Sequence, residues 1–168
     1  MTLKPEKRFM KMAIDAAIKS RELGDYAVGA VIVKGDQVIA TGLNRIKLDK
    51  DSIWHAEMVA IREASKKLDS RFLQDCVLYT THEPCPMCAS AAIWARMKGI
   101  VFGASLHDMI QYAQKNGTRD WTWRTIDITA EEVINKGNPK LELVKEFMRS
   151  ECNQLFQVYK GTVFGAIS

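Results

Sequence analysis

The amino-acid sequence predicts a three-layer α/β/α fold around a central mixed sheet. Two β-branched runs flank Lys34-Gly35-Asp36 in the stretch AVGAVIVKGDQVIATG, and this pattern indicates an antiparallel hairpin. Two further short apolar runs, CVLYTT around Cys76 and GIVFGA around Val101, each follow a helical stretch and indicate buried strands. A hairpin followed by alternating helices and strands places helices on both faces of one sheet.

Three segments of the chain carry apolar residues at helical spacing. The first covers residues 7–23, and Gly24 directly after it is a typical helix stop. The second covers residues 52–68. The third, residues 143–159, predicts a final helix that packs on the sheet. Over residues 105–140 the periodicity weakens.

The composition indicates one globular unit. With 168 residues, of which 47% are hydrophobic and 26% are charged, the chain can bury one substantial core, and we expect a single domain over residues 1–168. Charged residues interrupt the N-terminal segment before it reaches the apolar length of a signal peptide. No later segment approaches the roughly 20 apolar residues of a membrane helix. We therefore expect a cytoplasmic location and no membrane association.

A close pair of cysteines, Cys85 and Cys88, lies in the stretch THEPCPMCASAAIWAR. Four cysteines in all are too few for a disulfide scaffold, so a close pair indicates a metal or catalytic role. Pro84 and Pro86 flank Cys85 and are typical of a helix start, where missing amide donors cost little. The helix dipole there favours the thiolate form that binds metals. Zinc takes about four ligands, so the sequence must supply at least one more.

His55 and Glu57, in the stretch WHAEM, open a second predicted helix. In an α/β sheet, helix N-termini that follow the carboxyl ends of strands gather at one rim, so His55 can meet the two cysteines there. His55, Cys85 and Cys88 would then be three zinc ligands with water as the fourth, an arrangement that lowers the pKa of that water toward about 7. Glu57 is the natural proton carrier beside such a water.

These two motifs, H-x-E at His55 and P-C-x-x-C around Cys85, resemble the signature of the zinc-dependent cytidine deaminase superfamily. Over residues 26–105 the chain looks like the branch that holds bacterial guanine deaminases and tRNA adenosine deaminases, through VGAVIV, LNR, HAE, LYTTHEPCPMC and VFGA. The resemblance implies a cytidine-deaminase-like fold with about five strands, and one Zn²⁺ per subunit on His55, Cys85 and Cys88. It also implies that Glu57 moves a proton from the zinc-bound water to a ring nitrogen and then to the departing amine. The products would be ammonia and a base that carries a carbonyl.

The same resemblance implies substrate contacts from four residues. Asn44 matches an asparagine that hydrogen-bonds the base or its sugar. The backbone amide of Ala56 and the carbonyl of Pro84 are expected to face the base, and Trp94 lies in the stretch IWAR, which is similar in guanine deaminases. Two alternatives stay open, namely Asn44 as a turn residue after Gly42 and Trp94 as a core residue.

Other roles for nearby residues compete with this interpretation. A closed structural zinc site would take Cys76 or His82 as its fourth ligand, but Cys76 lies in a core strand and is typical of a small apolar residue. A redox pair would not need the H-x-E motif at a second helix. We expect Glu83 to fix its loop rather than to react, and His82 and His107 to be surface or packing residues.

Two parts of the sequence depart from the resembled families. Trp54 stands directly before the H-x-E motif, where relatives have a small residue, and implies a reshaped pocket mouth. Beyond residue 105 the similarity to these families fades. The segment that follows contains three aromatic residues, Tyr112, Trp121 and Trp123. They would either cover the pocket or pack at a subunit interface, and we favour the interface.

The substrate is the least determined property. A net charge of +4 and a pI of 8.9 allow a polyanionic partner, but the basic residues are dispersed among acidic ones and no basic cluster flanks the motifs. We therefore expect a nucleobase or nucleoside, with guanine as the first prediction. The alternatives are a tRNA-specific adenosine deaminase, whose closing helix the tail FMRSECNQLF resembles, then a cytosine or cytidine deaminase, and finally a non-catalytic zinc-stabilised binding module. The resemblance also implies a homodimer.

Overall fold

The computed structural model describes residues 2–117 and 125–157. One sheet in these residues contains five strands, which are β1 (Gly29–Lys34), β2 (Gln37–Leu43), β3 (Cys76–His82), β4 (Gly99–Ala104) and β5 (Glu142–Val144). The helices are α1 (Lys7–Glu22), α2 (Ala56–Lys67), α3 (Pro86–Trp94), α4 (Leu106–Asn116), α5 (Ala130–Lys136) and α6 (Arg149–Gln157). None of these helices is long and apolar enough to cross a bilayer.

The strands lie in the order β2-β1-β3-β4-β5. Strand β1 pairs antiparallel with β2 and β3, whereas β3, β4 and β5 run parallel to one another. Strands β3 and β4 are buried along their whole length, and β1 is buried except at its last residue. This mixed five-stranded sheet confirms the predicted fold class.

Two apolar cores lie on opposite faces of the sheet. One core contains side chains of α2, α3 and α5, and the other contains side chains of α1, α4 and α6. Successive strand residues point to opposite faces, and the central strands therefore contribute alternately to the two cores. The first core receives Ile32, Leu78 and Ile100, and the second receives Val31, Tyr79 and Val101. The result is the three-layer arrangement that the sequence predicts.

Two glycines allow helices to pack directly on strands. A Cβ atom at Gly29 would overlap the backbone carbonyl of Ala13 in α1, and a Cβ atom at Gly42 would overlap the backbone carbonyl of Ala56 in α2. Since glycine has no Cβ, each helix approaches its strand more closely than another residue would allow. Gly42 therefore sets the position of the first turn of α2, directly after His55.

Two predicted helices begin later than the periodicity indicates. The helix expected over residues 52–68 starts at Ala56, because His55 has the extended backbone of an N-cap residue, with φ −64° and ψ 152°. The prediction of a final helix over residues 143–159 is wrong at the start of that helix. Its first residues belong to β5, which pairs with β4, and α6 begins at Arg149. A short apolar run does not distinguish a strand from a helix by periodicity alone. The last two residues of the predicted helix lie outside the described residues.

Helices α4 and α5 lie in the segment where the periodicity weakens. Each begins with a capping box, in which Ser105 exchanges hydrogen bonds with Asp108, and Thr129 with Glu132. A serine or threonine followed three residues later by an acidic residue is visible in the sequence. The predicted elements did not include α4 and α5, because periodicity alone does not detect this signal.

An ion pair connects α6 to α4. Arg149, the first residue of α6, donates from Nε to Oδ2 of Asp108 at 2.9 Å and from Nη2 to Oδ1 at 2.6 Å. The backbone amide of Ser105 donates to the same carboxylate at 3.0 Å. Burial alone raises the pKa of Asp108, but the hydrogen bonds from Arg149 and Ser105 hold that pKa at about 2.

Replacement of Asp108 by asparagine is expected to lower the free energy of unfolding at neutral pH by about 1 kcal/mol. This value is discounted for solvent screening because the Arg149 side chain is 47% exposed. The folded pKa of about 2 lies below the ordinary 3.8, so the contribution is present above about pH 4 and is lost as the pH falls through about 2. Denaturant titrations of both proteins across that range measure it. A difference in unfolding free energy that does not shrink between those limits would contradict the assignment.

Candidate zinc site

Three metal-ligating side chains meet at the N-termini of two helices. His55 is the N-cap residue of α2, Cys85 is the N-cap residue of α3, and Cys88 lies in the first turn of α3. Pro86 occupies the first position of α3, where its missing N–H costs no helical hydrogen bond. The structure thus brings together the three residues that the two motifs predict.

The donor atoms have the separations of zinc ligands. Nδ1 of His55 lies 3.7 Å from Sγ of Cys85, and the two sulfurs lie 3.7 Å apart. Tetrahedral zinc, with Zn–S of about 2.3 Å and Zn–N of about 2.05 Å, separates two sulfurs by about 3.8 Å and a sulfur from a nitrogen by about 3.6 Å. A disulfide would need about 2.05 Å. One nitrogen and two sulfurs within 4.8 Å of one another therefore fit a zinc ion.

The hydrogen bond between the two thiols separates their pKa values. The bond with Cys88 lowers the pKa of Cys85 to about 4, burial opposes this shift, and His55 adds to it. The same bond, together with burial, raises the pKa of Cys88. Burial alone lowers the pKa of His55, but the hydrogen bond with Cys85 and the charge of Glu57 raise that pKa above its ordinary value. The cluster therefore favours a thiolate at Cys85, which is the form that binds metals.

Glu57, the predicted proton carrier, lies close to these ligands. It is the second residue of α2 and is 3% exposed. Its Oε1 accepts a hydrogen bond from Oγ1 of Thr80 at 3.2 Å, and its Oε2 is buried with no hydrogen-bond partner among the described residues. Burial raises the pKa of Glu57, and the charge of His55 partly opposes this. A carboxyl group with a raised pKa, one of whose oxygens accepts no hydrogen bond, is suited to proton transfer.

Glu83, in the loop between β3 and α3, holds two other helices. Its Oε2 accepts from the backbone amide of Leu106 at 2.8 Å, and its Oε1 accepts from the backbone amide of Ala130 at 2.9 Å. These amides open α4 and α5, where the helix dipole favours a negative charge. The prediction that Glu83 fixes its loop is confirmed. The link to α4 and α5 has no sequence signal, because these partners lie 23 and 47 residues away.

Asn44 belongs to a buried hydrogen-bond network centred on Asp25. Its Nδ2 donates to Oδ1 of Asp25 at 2.8 Å. The other carboxylate oxygen, Oδ2, accepts from the backbone amides of Lys47 at 2.8 Å and Leu48 at 3.0 Å. Asp25 is fully buried and thereby holds the loop that follows Asn44. No motif in the sequence marks Asp25, and a substrate contact by Asn44 stays a prediction.

The other residues of the predicted substrate set differ widely in exposure. Ala56 and Pro84 are buried directly beside the metal ligands in sequence. Trp94, the last residue of α3, is 81% exposed, so the alternative of a core tryptophan is wrong. It lies six residues beyond Cys88, which is about 9 Å along the helix axis. Substrate contacts by these three residues stay predictions.

The remaining candidate ligands are core or surface residues. Cys76 is fully buried in β3, which confirms its interpretation as a small apolar residue. His82 is buried against Phe156, with ring centroids 5.4 Å apart, and burial lowers its pKa to about 4. His107 is exposed. His82 and His107 are therefore packing and surface residues, as predicted.

The aromatic residues that depart from the resembled families are only partly described. Trp54 is half-buried, and the guanidinium carbon of Arg62 lies 5.1 Å from its ring centroid. Tyr112 packs on Phe156 within its own chain, with ring centroids 5.2 Å apart. Trp121 and Trp123 lie outside the described residues, so the predicted subunit contact of this segment stays a prediction.

The site lies in a segment that matches a known protein family. Residues 3–104 match the model of the cytidine and deoxycytidylate deaminase zinc-binding region. The chain belongs to this zinc-binding deaminase family. It is a zinc-dependent hydrolase that removes an amine from a nucleobase or nucleoside.

Two relatives and one solved structure illustrate the similarity of this deaminase to known proteins. A tRNA-specific adenosine deaminase from Buchnera aphidicola subsp. Schizaphis graminum is 35% identical over 147 residues, which cover 88% of this chain and 88% of the relative. The guanine deaminase of Bacillus subtilis is 40% identical over 125 residues, which cover 74% of this chain and 78% of the relative. A structure from studies of A-to-I editing by tRNA:A34 deaminases at the wobble position has a TM-score of 0.73 and 26% identity, and the match covers 89% of this chain and 99% of that one.

Zinc analysis of the purified deaminase tests the ligand set. We expect about one zinc ion per chain, and Cys88→Ser should lower the content to less than about a tenth of that, because only two protein ligands remain. Cys76→Ala is the matched control, since it removes a buried thiol outside the cluster, and it should retain the metal. Full zinc content in Cys88→Ser after dialysis would remove Cys88 from the ligand set.

Proposed function

We propose that this deaminase acts on tRNA and converts an adenosine to inosine. The observation that carries the proposal is the reach of the match to a tRNA-specific adenosine deaminase, which covers 88% of both chains. The match to guanine deaminase covers 74% of this chain. A match that covers 88% of this chain necessarily extends far beyond residue 104, where the zinc-binding region ends, and farther than a match of 74% has to. This reach supports tRNA over guanine, which was the first prediction from the sequence.

The reaction replaces the exocyclic amine of adenine with a carbonyl: an oxygen atom from water bonds to the ring carbon, the C–N bond breaks, and ammonia leaves. Zinc held by His55, Cys85 and Cys88 would supply the Lewis acid that makes water nucleophilic near neutral pH. Oε2 of Glu57, which has no partner among the described residues, takes the proton of the water and passes it to the ring nitrogen and then to the departing amine. Because burial raises its pKa, Glu57 holds this proton more readily than an exposed glutamate would.

The base would lie at the rim of the sheet where α2 and α3 begin. The proposed contacts are the backbone amide of Ala56, the backbone carbonyl of Pro84 and the side chain of Asn44. Asp25 accepts one N–H of the Asn44 amide group, and this bond leaves Oδ1 and the second N–H of Asn44 outside it. Asp25 thus restrains the Asn44 side chain before any substrate binds.

An RNA substrate adds the requirement that adenine leaves its stack to reach a buried carboxylate. Single-stranded loops meet this requirement most easily, since their bases are already accessible to proteins. The net charge of +4 is compatible with a polyanionic partner. We also propose that residues 1–168 form a single catalytic domain and that the protein acts in the cytoplasm.

Ammonia release by the zinc-loaded protein tests the substrate. We expect turnover of an adenosine-containing tRNA anticodon stem-loop and no turnover of guanine, adenine, cytosine or their nucleosides. Release from guanine without release from the RNA would overturn the tRNA proposal and establish the second candidate, guanine deaminase, which the 40% identity over the shared segment favours. Release from cytosine or cytidine would overturn both. Silence across the panel would also overturn both, and would leave an amine outside the panel or a zinc-stabilised binding module.

The same assay on Glu57→Gln serves as the mechanistic arm of this test. Turnover should fall by about 10²- to 10⁴-fold, while zinc content and melting temperature stay close to those of the wild type. Glu63→Gln is the matched control, because Glu63 is an exposed residue of the same helix that pairs with Lys66. Unchanged turnover in Glu57→Gln would remove Glu57 from the proposed role.

We also propose a homodimer in which the partner packs on the face of Trp94. This side chain is 81% exposed, and the neighbouring Ile61 and Ile93 line the same surface groove and are only partly buried. Tryptophan is enriched in the buried centres of protein interfaces. Trp94 lies about 9 Å along the helix axis from Cys88 of its own chain. We therefore propose that Trp94 contacts the substrate bound in the partner subunit rather than the substrate in its own.

Trp94→Ser is expected to weaken dimer association by about tenfold or more, as loss of a central interface tryptophan does. Light scattering during size-exclusion chromatography over a range of concentrations measures the change. Leu23→Ser, at the end of α1, removes another exposed apolar side chain and is the matched control. A wild-type protein that stays monomeric at every concentration would refute the homodimer.

A further inference from the structure

A buried hydroxyl group, that of Thr80, approaches Glu57 from the middle of the sheet. Thr80 lies in β3, between β1 and β4, and is fully buried. Leu78, two residues earlier on the same face of β3, belongs to the apolar core beneath α2 and α3. A hydroxyl group at such a position is costly unless it has a hydrogen-bond partner.

The partner of this hydroxyl is the carboxylate proposed to carry the proton. Oγ1 of Thr80 donates to Oε1 of Glu57 at 3.2 Å, which is longer than the usual distance of about 2.8 Å for a hydroxyl donor. Catalytic hydrogen bonds are often long before substrate binds and tighten in the complex. Oε2 of the same carboxylate has no partner among the described residues. The two oxygens of Glu57 therefore have different environments, one bonded to the sheet and the other available for chemistry.

Thr80 restricts how the Glu57 carboxylate turns. The last torsion of a glutamate side chain is broad, so a carboxylate without partners rotates readily. A β-branched threonine has a stiff first torsion, and β3 is a central strand with neighbours on both sides. Packing alone does not explain the residue, because valine would fill nearly the same space and lacks only the hydroxyl.

We propose that Thr80 is a positioning residue that orients the Glu57 carboxylate for proton transfer. Thr80 holds Oε1, so Oε2 stays directed at the water and the amine between which the proton moves. The inference rests on the catalytic role proposed for Glu57. It adds to the site a residue that lies outside both sequence motifs.

Thr80→Val removes the hydroxyl at nearly constant volume and is the direct test. We expect kcat to fall about tenfold, the equivalent of one hydrogen bond, with KM within about twofold and zinc content unchanged. Thr80→Ser keeps the hydroxyl and should restore most of kcat. A crystal structure of Thr80→Val gives a readout independent of activity, and it should show the Glu57 carboxylate in more than one orientation.

Thr81→Val is the matched control for stability. Thr81 is also buried in β3, but its Oγ1 accepts from the backbone amide of Gly29 at 3.2 Å and contacts Nδ1 of His82 at 2.8 Å. This variant should lower the melting temperature while kcat stays near that of the wild type. If Thr80→Val does not fold, Thr80→Cys, with a side chain of similar size and a weak donor, should show an intermediate loss of kcat.

A wild-type kcat in Thr80→Val, with Glu57 in an unchanged orientation, overturns the inference. An equal loss of kcat in Thr81→Val also overturns it, because the effect would then be one of stability. Glu57→Gln separates this failure from failure of the proposed function. Retained turnover in Glu57→Gln defeats the catalytic role of Glu57, whereas an inactive Glu57→Gln beside a fully active Thr80→Val defeats only the role of Thr80.

Discussion

The direct packing of α2 on β2 is the constraint on which the site depends. A Cβ atom at Gly42 would overlap the carbonyl of Ala56 and would lie 2.8 Å from the amide nitrogen of Ala60. Ala56 stands between His55 and Glu57 in the chain, so the position of the helix sets a metal ligand and the proton carrier together. Zinc tolerates deviations of only about 0.2 Å in its bond lengths. A helix displaced from the strand by the width of a methyl group would shift His55 relative to the cysteines by more than that.

Strand β3 and the loop after it supply the other half of the site. Thr80 reaches α2, Glu83 reaches the first amides of α4 and α5, and Cys85 begins α3. One short segment is therefore bonded to four helices. A site whose residues are held by packed elements keeps its geometry without further support, which is what zinc binding and proton transfer both require.

The metal-binding motifs were predictable from the sequence because zinc restricts both the type of its ligands and their spacing. Most of the sheet was predictable because its strands are rich in β-branched residues and are bounded by turn residues. Strand β5 was not predictable from the sequence, because its three residues form a strand only through pairing with β4. The roles of Thr80 and Asp25 were not predictable either, because the function of a buried threonine or aspartate depends on its hydrogen-bond partners, which lie far away in the sequence. The substrate was not predictable, because the chain is similar both to a tRNA-specific adenosine deaminase and to a guanine deaminase, and the sequence pattern is weak beyond residue 105.

Asp25 holds the loop after Asn44 through main-chain groups. The amides of Lys47 and Leu48 donate to its carboxylate, and every residue type except proline offers that donor. These two hydrogen bonds are therefore independent of the side chains at the two positions. Substitutions other than proline at these two positions therefore leave both amide donors in place, and Asp25 keeps its hydrogen bond with Asn44.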